Sequence, residues 1–315
     1  MLQFLAISTP FFAVIALGAL ASGRTLFGPE AVRVLNTFAF MIATPAMILR
    51  VMSRQPIAEL WNTTFFVALA AIGVLMMLST ALFLRGRGLS YGGAVSHGQA
   101  MVGGNFAFLG IPLMLAFLGE RAASPIAIGL IFDTALLIPL AIGLIEAGRG
   151  TGSALSIVAG LVKGTLLNPF MLSIAAGLAL SLSGVSIPEP ADRFLSFLGN
   201  AAAPVGVFAL GLAARQWGGG GLSVTRIAPL VLGKLVLHPL LVWCLLGPVL
   251  QLDPFWVTAG VLYAALPTAA NVFVIAERFE TGGKPIAAAI VASTALAALT
   301  FPLAVWLVSG QSLTP

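Results

Sequence analysis

The chain has 315 residues, 59% of them hydrophobic and 8% charged, with a mean hydropathy of +1.08 and a formal net charge of +5. A soluble domain carries about a quarter charged residues, so this composition excludes a water-solvated globule. The 15 basic residues are scattered, without a patch or interleaved aromatics, which argues against a nucleic-acid interface; the single Cys244 excludes a disulfide framework and a cysteine zinc site; and HExxH, GxSG and Walker A motifs are absent.

In chain order, the first apolar segment, 2–22, lacks a basic n-region and an A-x-A cleavage site, so it is expected to stay as a span and not to act as a signal peptide. A bilayer core takes about 20 apolar residues per helix. Four more segments of the first half meet that test, at 31–49, 60–84, 91–118 and 124–145, and five of the second half, at 165–182, 194–214, 227–250, 255–279 and 285–308. The expected fold is therefore an all-α membrane protein of ten transmembrane helices. Between the halves, 151–164 contains ALSIVAGLVKG, too short to span and suited to lie along the interface as a linking helix.

Basic residues orient these spans. Arg24, Arg33, Arg85, Arg87, Arg149, Lys163, Arg215, Arg226, Arg278 and Lys284 fall on one side; Arg50, Arg54, Arg121 and Arg193 fall on the other; Lys234 lies inside a span. The positive-inside rule makes the first side cytoplasmic, placing both termini outside, in the periplasm if the membrane is a bacterial inner membrane. The halves also align: PFFAVIALGAL begins at Pro10 and PFMLSIAAGLA at Pro169, and Pro45 and Pro204 each follow by 35 positions (10 to 45, 169 to 204). An odd number of spans per half forces the second copy to enter inverted. Residues 1–150 and 165–315 thus read as two inverted repeats, the organisation of many secondary transporters.

The fourth span of each half is interrupted near its centre, by NFAFLGIP in the first and ALPTAANVFVIA in the second. Paired interruptions at matching positions point to a transporter site. Pro112 suits the first turn of a new half-helix, and Thr268 suits a cap just after Pro267. Each new N-terminus exposes amides and the positive end of a helix dipole, so two of them make an anion site; the freed carbonyls of Gly103, Gly104 and Ala265 offer a place for a cation or water instead. Asn105, Gly110, Ile111, Pro112, Pro267, Thr268 and Asn271 are the candidate substrate-binding residues. Asn105 and Asn271 have an alternative role, satisfying the broken backbone.

Other polar residues lie deep in the spans. Asp133 sits in LIFDTALLIPL of the fifth span, and Lys234 and His238 sit one turn apart in LGKLVLHPLL of the eighth. A charge at the bilayer centre costs about 2.5–3.5 kcal/mol, so these are candidates for ion coupling or for pairing with substrate charge. Lys234 has the alternatives of snorkelling or tethering a broken helix, Asp133 of a structural hydrogen bond, and His238 of packing or backbone capping. Ser96, His97 and Gln99 precede the first break and either line an inner pathway or contact neighbouring helices.

With GNFAFLGIPL, LGNAAAPVGVFALGL and LPTAANVFVIAERF in place, the chain resembles, over nearly its full length, the auxin efflux carrier family, which includes plant auxin exporters and bacterial malonate or malate permease-like carriers. The resemblance implies two inverted five-helix repeats whose helices four and nine unwind and cross, with crossover residues at Asn105, Pro112, Pro267 and Asn271. It also implies a scaffold of helices one, two, six and seven that dimerises, and a moving transport domain of helices three to five and eight to ten. The long cytoplasmic loop of many plant exporters is missing, so auxin is not implied as the substrate. The expected function is a secondary carrier of a small organic anion by alternating access, with no cofactor beyond a coupling proton or sodium ion. The competing reading is a channel built on the same broken helices; a membrane enzyme lacks a nucleophile–base or metal constellation.

Overall fold

The computed structural model describes residues 2–22, 27–54, 61–150, 153–217 and 224–309, which are almost entirely helical with no β-strand among them. Arg24, Leu60 at the start of the third expected span, Thr151 at the start of the linker, both chain ends and the side chain of Arg226 lie outside the described residues.

The first half opens with α1 (Leu2–Ala21) and α2 (Pro29–Phe38), which runs through a π-helical turn, Ala39–Ala43, into α3 (Thr44–Ser53). Then come α4 (Thr63–Gly86), started by the Asn62 side chain on the Phe65 amide at 2.9 Å, and α5 (Tyr91–Val102), started by Ser90 on the Gly93 amide at 3.2 Å. After a break, a π-helical turn Phe106–Gly110 leads into α6 (Ile111–Leu118), a 3-10 turn, α7 (Ala123–Ile131), a π-helical turn Phe132–Leu137 and α8 (Ile138–Arg149). The helical stretch Phe106–Arg149 has 44 residues, about 66 Å at 1.5 Å per residue and twice what a bilayer core of about 30 Å accommodates. It is punctuated at Gly119, whose φ of 62° favours glycine.

The expected linker forms α9 (Ala154–Leu166), which buries no residue and meets α10 (Pro169–Ser183) at a 55° bend. Then follow α11 (Glu189–Trp217), α12 (Val224–Leu232), a π-helical turn Gly233–Leu237, α13 (His238–Cys244) with a further π-helical turn Leu245–Val249, α14 (Pro254–Ala264), a second break, α15 (Ala270–Arg278) and α16 (Gly283–Ser309). Among the described residues, seven helices, or eight with the bent pair, are long and apolar enough to cross a membrane. Side chains such as Leu75, Leu82 and Leu299 are mostly exposed on the outside of the bundle. The chain is a multi-pass integral membrane protein.

The π-helical turns have a common cause. Four of them end two residues before a proline: Ala43 before Pro45, Gly110 before Pro112, Leu137 before Pro139 and Leu237 before Pro239. Proline cannot donate to the carbonyl four residues back and its ring crowds that carbonyl, so the turn upstream widens. Such widened turns recur at functional sites, and both Asp133 and Lys234 lie inside one.

Two groups of helices pack side by side. α11 lies against α1, α2 and α3, with α10 on α3; separately, α4 packs on α5, α5 on α8, α13 on α14, and α16 on α12, α14 and α15. The first group is held by very close approach. A Cβ on Gly18 would fall 2.3 Å from the Phe208 carbonyl oxygen, and one on Gly211 would fall 2.1 Å from that of Ile15. Without a hydrophobic drive between helices in lipid, such small residues let backbones touch. Gly211→Leu is therefore expected to force α1 from α11 at a cost of about 1–3 kcal/mol, seen as a lower melting temperature in detergent. Gly160→Ala, where a Cβ meets nothing within 4 Å, serves as the control; equal melting of the two variants would contradict this contact.

Candidate binding site where two broken helices cross

α5 stops at Val102, and α14 stops at Ala264. The two extended stretches that follow lie antiparallel, bridged at Gly104 and Thr268. The Asn105 amide donates to the Pro267 carbonyl at 2.8 Å, and the Ala269 amide donates to the Gly103 carbonyl at 3.0 Å. Backbone groups freed in a membrane must be satisfied inside the protein, and here each break satisfies the other. Gly104 is needed for this approach, because a Cβ there would lie 3.2 Å from Leu266 Cβ and 3.5 Å from Lys234 Nζ.

Thr268 is fully buried and does not cap α15. Its hydroxyl donates to the Ala100 carbonyl at 3.1 Å, closing the open end of α5, and its amide donates to Ser293 Oγ at 3.2 Å. The residue at the cap position is Ala269, which has no side chain to offer. Pro112 lies in the first turn of α6, as expected, but helical structure begins upstream of it. It restarts at Phe106, through the widened turn that Pro112 induces, with Asn105 at the cap position and no side-chain cap bond. Several helix starts outside the crossing are closed by side chains, such as Asn168 on the Phe170 amide and Asp253 on the Phe255 amide, each at 2.8 Å, although α2 at Gly28 is not. The two interior starts are left uncapped, with the positive ends of their dipoles open.

Both open ends meet one cavity of about 290 Å³, walled by Asn105, Phe108, Ala270, Asn271 and Val274 from the crossing, by Asn36, Thr37, Phe40 and Met41 from α2 and its π-helical turn, and by Leu210 and Ala213 from α11. Asn105 is 4% exposed, and its Nδ2 is buried without a hydrogen-bond partner among the described residues. Asn271 is exposed. Gly110, Ile111, Pro112, Pro267 and Thr268 are not in this wall: Gly110 and Ile111 are buried, and a Cβ on Gly110 would strike Phe106 and Leu266. Asn36 and Thr37 were not anticipated, although an adjacent polar pair inside an apolar span was a usable signal.

Behind the crossing lies a buried polar network. The Lys234 ammonium, fully buried, donates to the Ala264 carbonyl at 2.7 Å and lies 3.1 Å from His238 Nδ1. It thus tethers the end of α14. Asp133 instead accepts the hydroxyl of Tyr263. The Tyr263 ring stands edge-on to His238, with centroids 6.5 Å apart. Tyr263, one of two tyrosines in the chain, is the link that sequence reasoning missed. It joins the fifth expected span to the ninth and, through His238, to the eighth. His97 bonds the Gly93 carbonyl at 2.7 Å through Nδ1 and lines a separate cavity of about 880 Å³ with Arg87, Met101 and Glu280. Ser96 is buried against Thr281 at 2.7 Å, and Gln99 is buried as well.

A lipid-embedded helical bundle in which two broken helices cross at a largely apolar cavity holding a few asparagines and a threonine is the architecture of a membrane transport protein. The sequence profile of the family described as Membrane transport protein matches residues 8–159 and 151–306, and the chain belongs to that family, the auxin efflux carriers. It is also 34% identical over 310 residues to a protein of Rhizobium meliloti (strain 1021) named "Putative malonate transporter", a match covering 96% of this chain and 95% of that protein. The protein is a transporter and not an enzyme.

Proposed function

We propose that the protein is a secondary active carrier of a small carboxylate, working by alternating access in a bacterial inner membrane with both termini in the periplasm. The observation that carries this reading is the meeting of two uncapped half-helix N-termini, with Asn105 and Asn271, at one cavity. Amide donors and dipole ends favour an anion without a fixed countercharge, which leaves the site free to empty. The relative named as a malonate transporter makes short dicarboxylates the first compounds to try.

On this reading, the chain forms ten spans in two inverted repeats, 1–150 and 165–315, joined by 151–164. The group built on α1, α2, α3, α10 and α11 is the scaffold and pairs in a homodimer; the other group carries the crossing and slides against it. The cavity fits that division, since one wall comes from α2 and α11 and the other from the crossing. Asp133 takes the coupling proton, because the Tyr263 hydroxyl that holds it pairs with a carboxylate or a carboxylic acid alike. The test is counterflow. Proteoliposomes loaded with malonate are expected to take up labelled malonate saturably and to accelerate with internal load. Conductance far above carrier turnover would favour a channel, and no counterflow with any mono- or dicarboxylate would end this reading.

A further inference from the structure

A second, separate cavity lies farther along three of the elements that wall the cavity at the crossing. The same three elements line both, at opposite ends. Along α2 and α3 the lining passes from Asn36, Thr37 and Met41 to Met47, Arg50 and Arg54; along α11 from Leu210 and Ala213 to Asn200 and Ser196; along the crossing helix from Asn105 and Phe108 to Leu115 and, just beyond α6, Glu120. The second chamber also measures about 290 Å³. From Thr37 to Arg50 is thirteen residues, about 20 Å along the helix. Between the chambers Phe108 presses on α11 where a Cβ on Gly206 would fall 2.6 Å from its ring, so the two are shut off from each other.

Two arginines that line this second chamber share a single carboxylate beside it. Asp192, in the first turn of α11, accepts from Arg50 Nε at 2.8 Å and Nη2 at 3.1 Å, and from Arg54 Nη2 at 2.7 Å. Arg50 is about a quarter exposed and Arg54 nearly half. On the scaffold side, two fixed positive charges therefore face one negative charge across the chamber from Glu120. The paired, planar donors of arginine are suited to carboxylates.

We infer that this chamber is a second carboxylate site, apart from the cavity at the crossing, in which Asp192 stands in for the carboxylate of an arriving anion. The incoming group exchanges with Asp192 on Arg50 and Arg54 and so collects there before it reaches the crossing. The charges here balance, two arginines against Asp192 and Glu120, so what suits the chamber to a carboxylate is the forked donor geometry of the guanidiniums and not net charge. The inference rests on the carrier reading for its direction of travel, though not for its chemistry.

The chamber is read directly by a thiol at Ser196, which lines it, in a Cys244→Ser background of the full chain in proteoliposomes. Ser196→Cys is expected to react faster with an anionic methanethiosulfonate than with its cationic counterpart, and malonate is expected to slow that reaction. Asp192→Asn, which frees the arginines, raises the anionic preference roughly threefold to tenfold, and Arg54→Gln, which leaves the Arg50–Asp192 pair intact, lowers it. Because losing one negative charge shifts this preference whatever the pair is for, protection carries the decision: labelling of Ser196→Cys that malonate does not slow overturns the proposal, as does an unchanged preference in both variants. Should Asp192→Asn fail to fold, Arg54→Gln and protection by malonate decide alone. Labelling that behaves as expected without counterflow removes the carrier reading and leaves the anion site standing.

Discussion

Asn105→Ala is expected to weaken carboxylate binding about ten- to a hundredfold while leaving the protein as stable as before, or slightly more so. A hydrogen bond to a charged partner is worth about 1.5–3 kcal/mol, and each 1.4 kcal/mol is about tenfold in affinity. The side chain makes no cap bond, and its Nδ2 is buried without a partner among the described residues. An unpaired buried donor costs about 1–3 kcal/mol, so trimming it removes a penalty from the empty protein and a contact from the loaded one. A purely structural asparagine gives the opposite pattern, with lower melting and unchanged affinity. Asn271→Ala, at the exposed start of α15, should lose affinity with little change in melting. The measurement is a malonate titration of each purified variant beside its melting curve. Wild-type affinity in both variants would place the site elsewhere.

The crossing was legible because its cause is local. Pro112 and Pro267 remove amide donors, and Asn105 and Asn271 break the apolar run at matching places; those features are written in the chain. A short helix after the first half was legible for a similar reason, since ALSIVAGLVKG is apolar but short, and one forms at Ala154–Leu166. Partners were not legible. Periodicity says that Lys234 and His238 share a face, yet nothing in LGKLVLHPLL names the Ala264 carbonyl as the group the ammonium holds. The pairing of Asp133 with Tyr263 spans 130 positions, and a tyrosine in an apolar span looks like an ordinary core residue. The restart at Phe106 was misplaced for a different reason. Pro112 does sit in the first turn of an α-helix, but it also acts backwards, widening the turn before it so that helical structure begins six residues earlier. The repetition of that arrangement before Pro45, Pro139 and Pro239 was available in the sequence as spacing but carries no sign of its own in composition.

The last expectation separates the two charged residues behind the crossing. Asp133→Asn keeps the acceptor that the Tyr263 hydroxyl uses and matches aspartate in size, so the bundle should fold and counterflow should continue. Asparagine cannot carry a proton, and accumulation driven by a pH gradient should therefore vanish. Lys234→Met fills similar volume but takes from the Ala264 carbonyl, at the end of α14, the ammonium that donates to it at 2.7 Å. Removing one partner of a buried hydrogen bond costs about 1–3 kcal/mol, and the crossing loses the tether that fixes its approach to Gly104. Lys234→Met should therefore lower melting and binding together, whether or not a gradient is present. The two residues form no direct ion pair, since the described ion pairs lie elsewhere, so the effects should be distinct in kind: Asp133→Asn uncouples a folded carrier, and Lys234→Met loosens the site itself. Proteoliposome uptake with and without a pH gradient, run beside melting curves, reads both. An Asp133→Asn protein that still accumulates substrate with the wild-type pH dependence would remove Asp133 from the coupling step and leave it as the anchor of Tyr263.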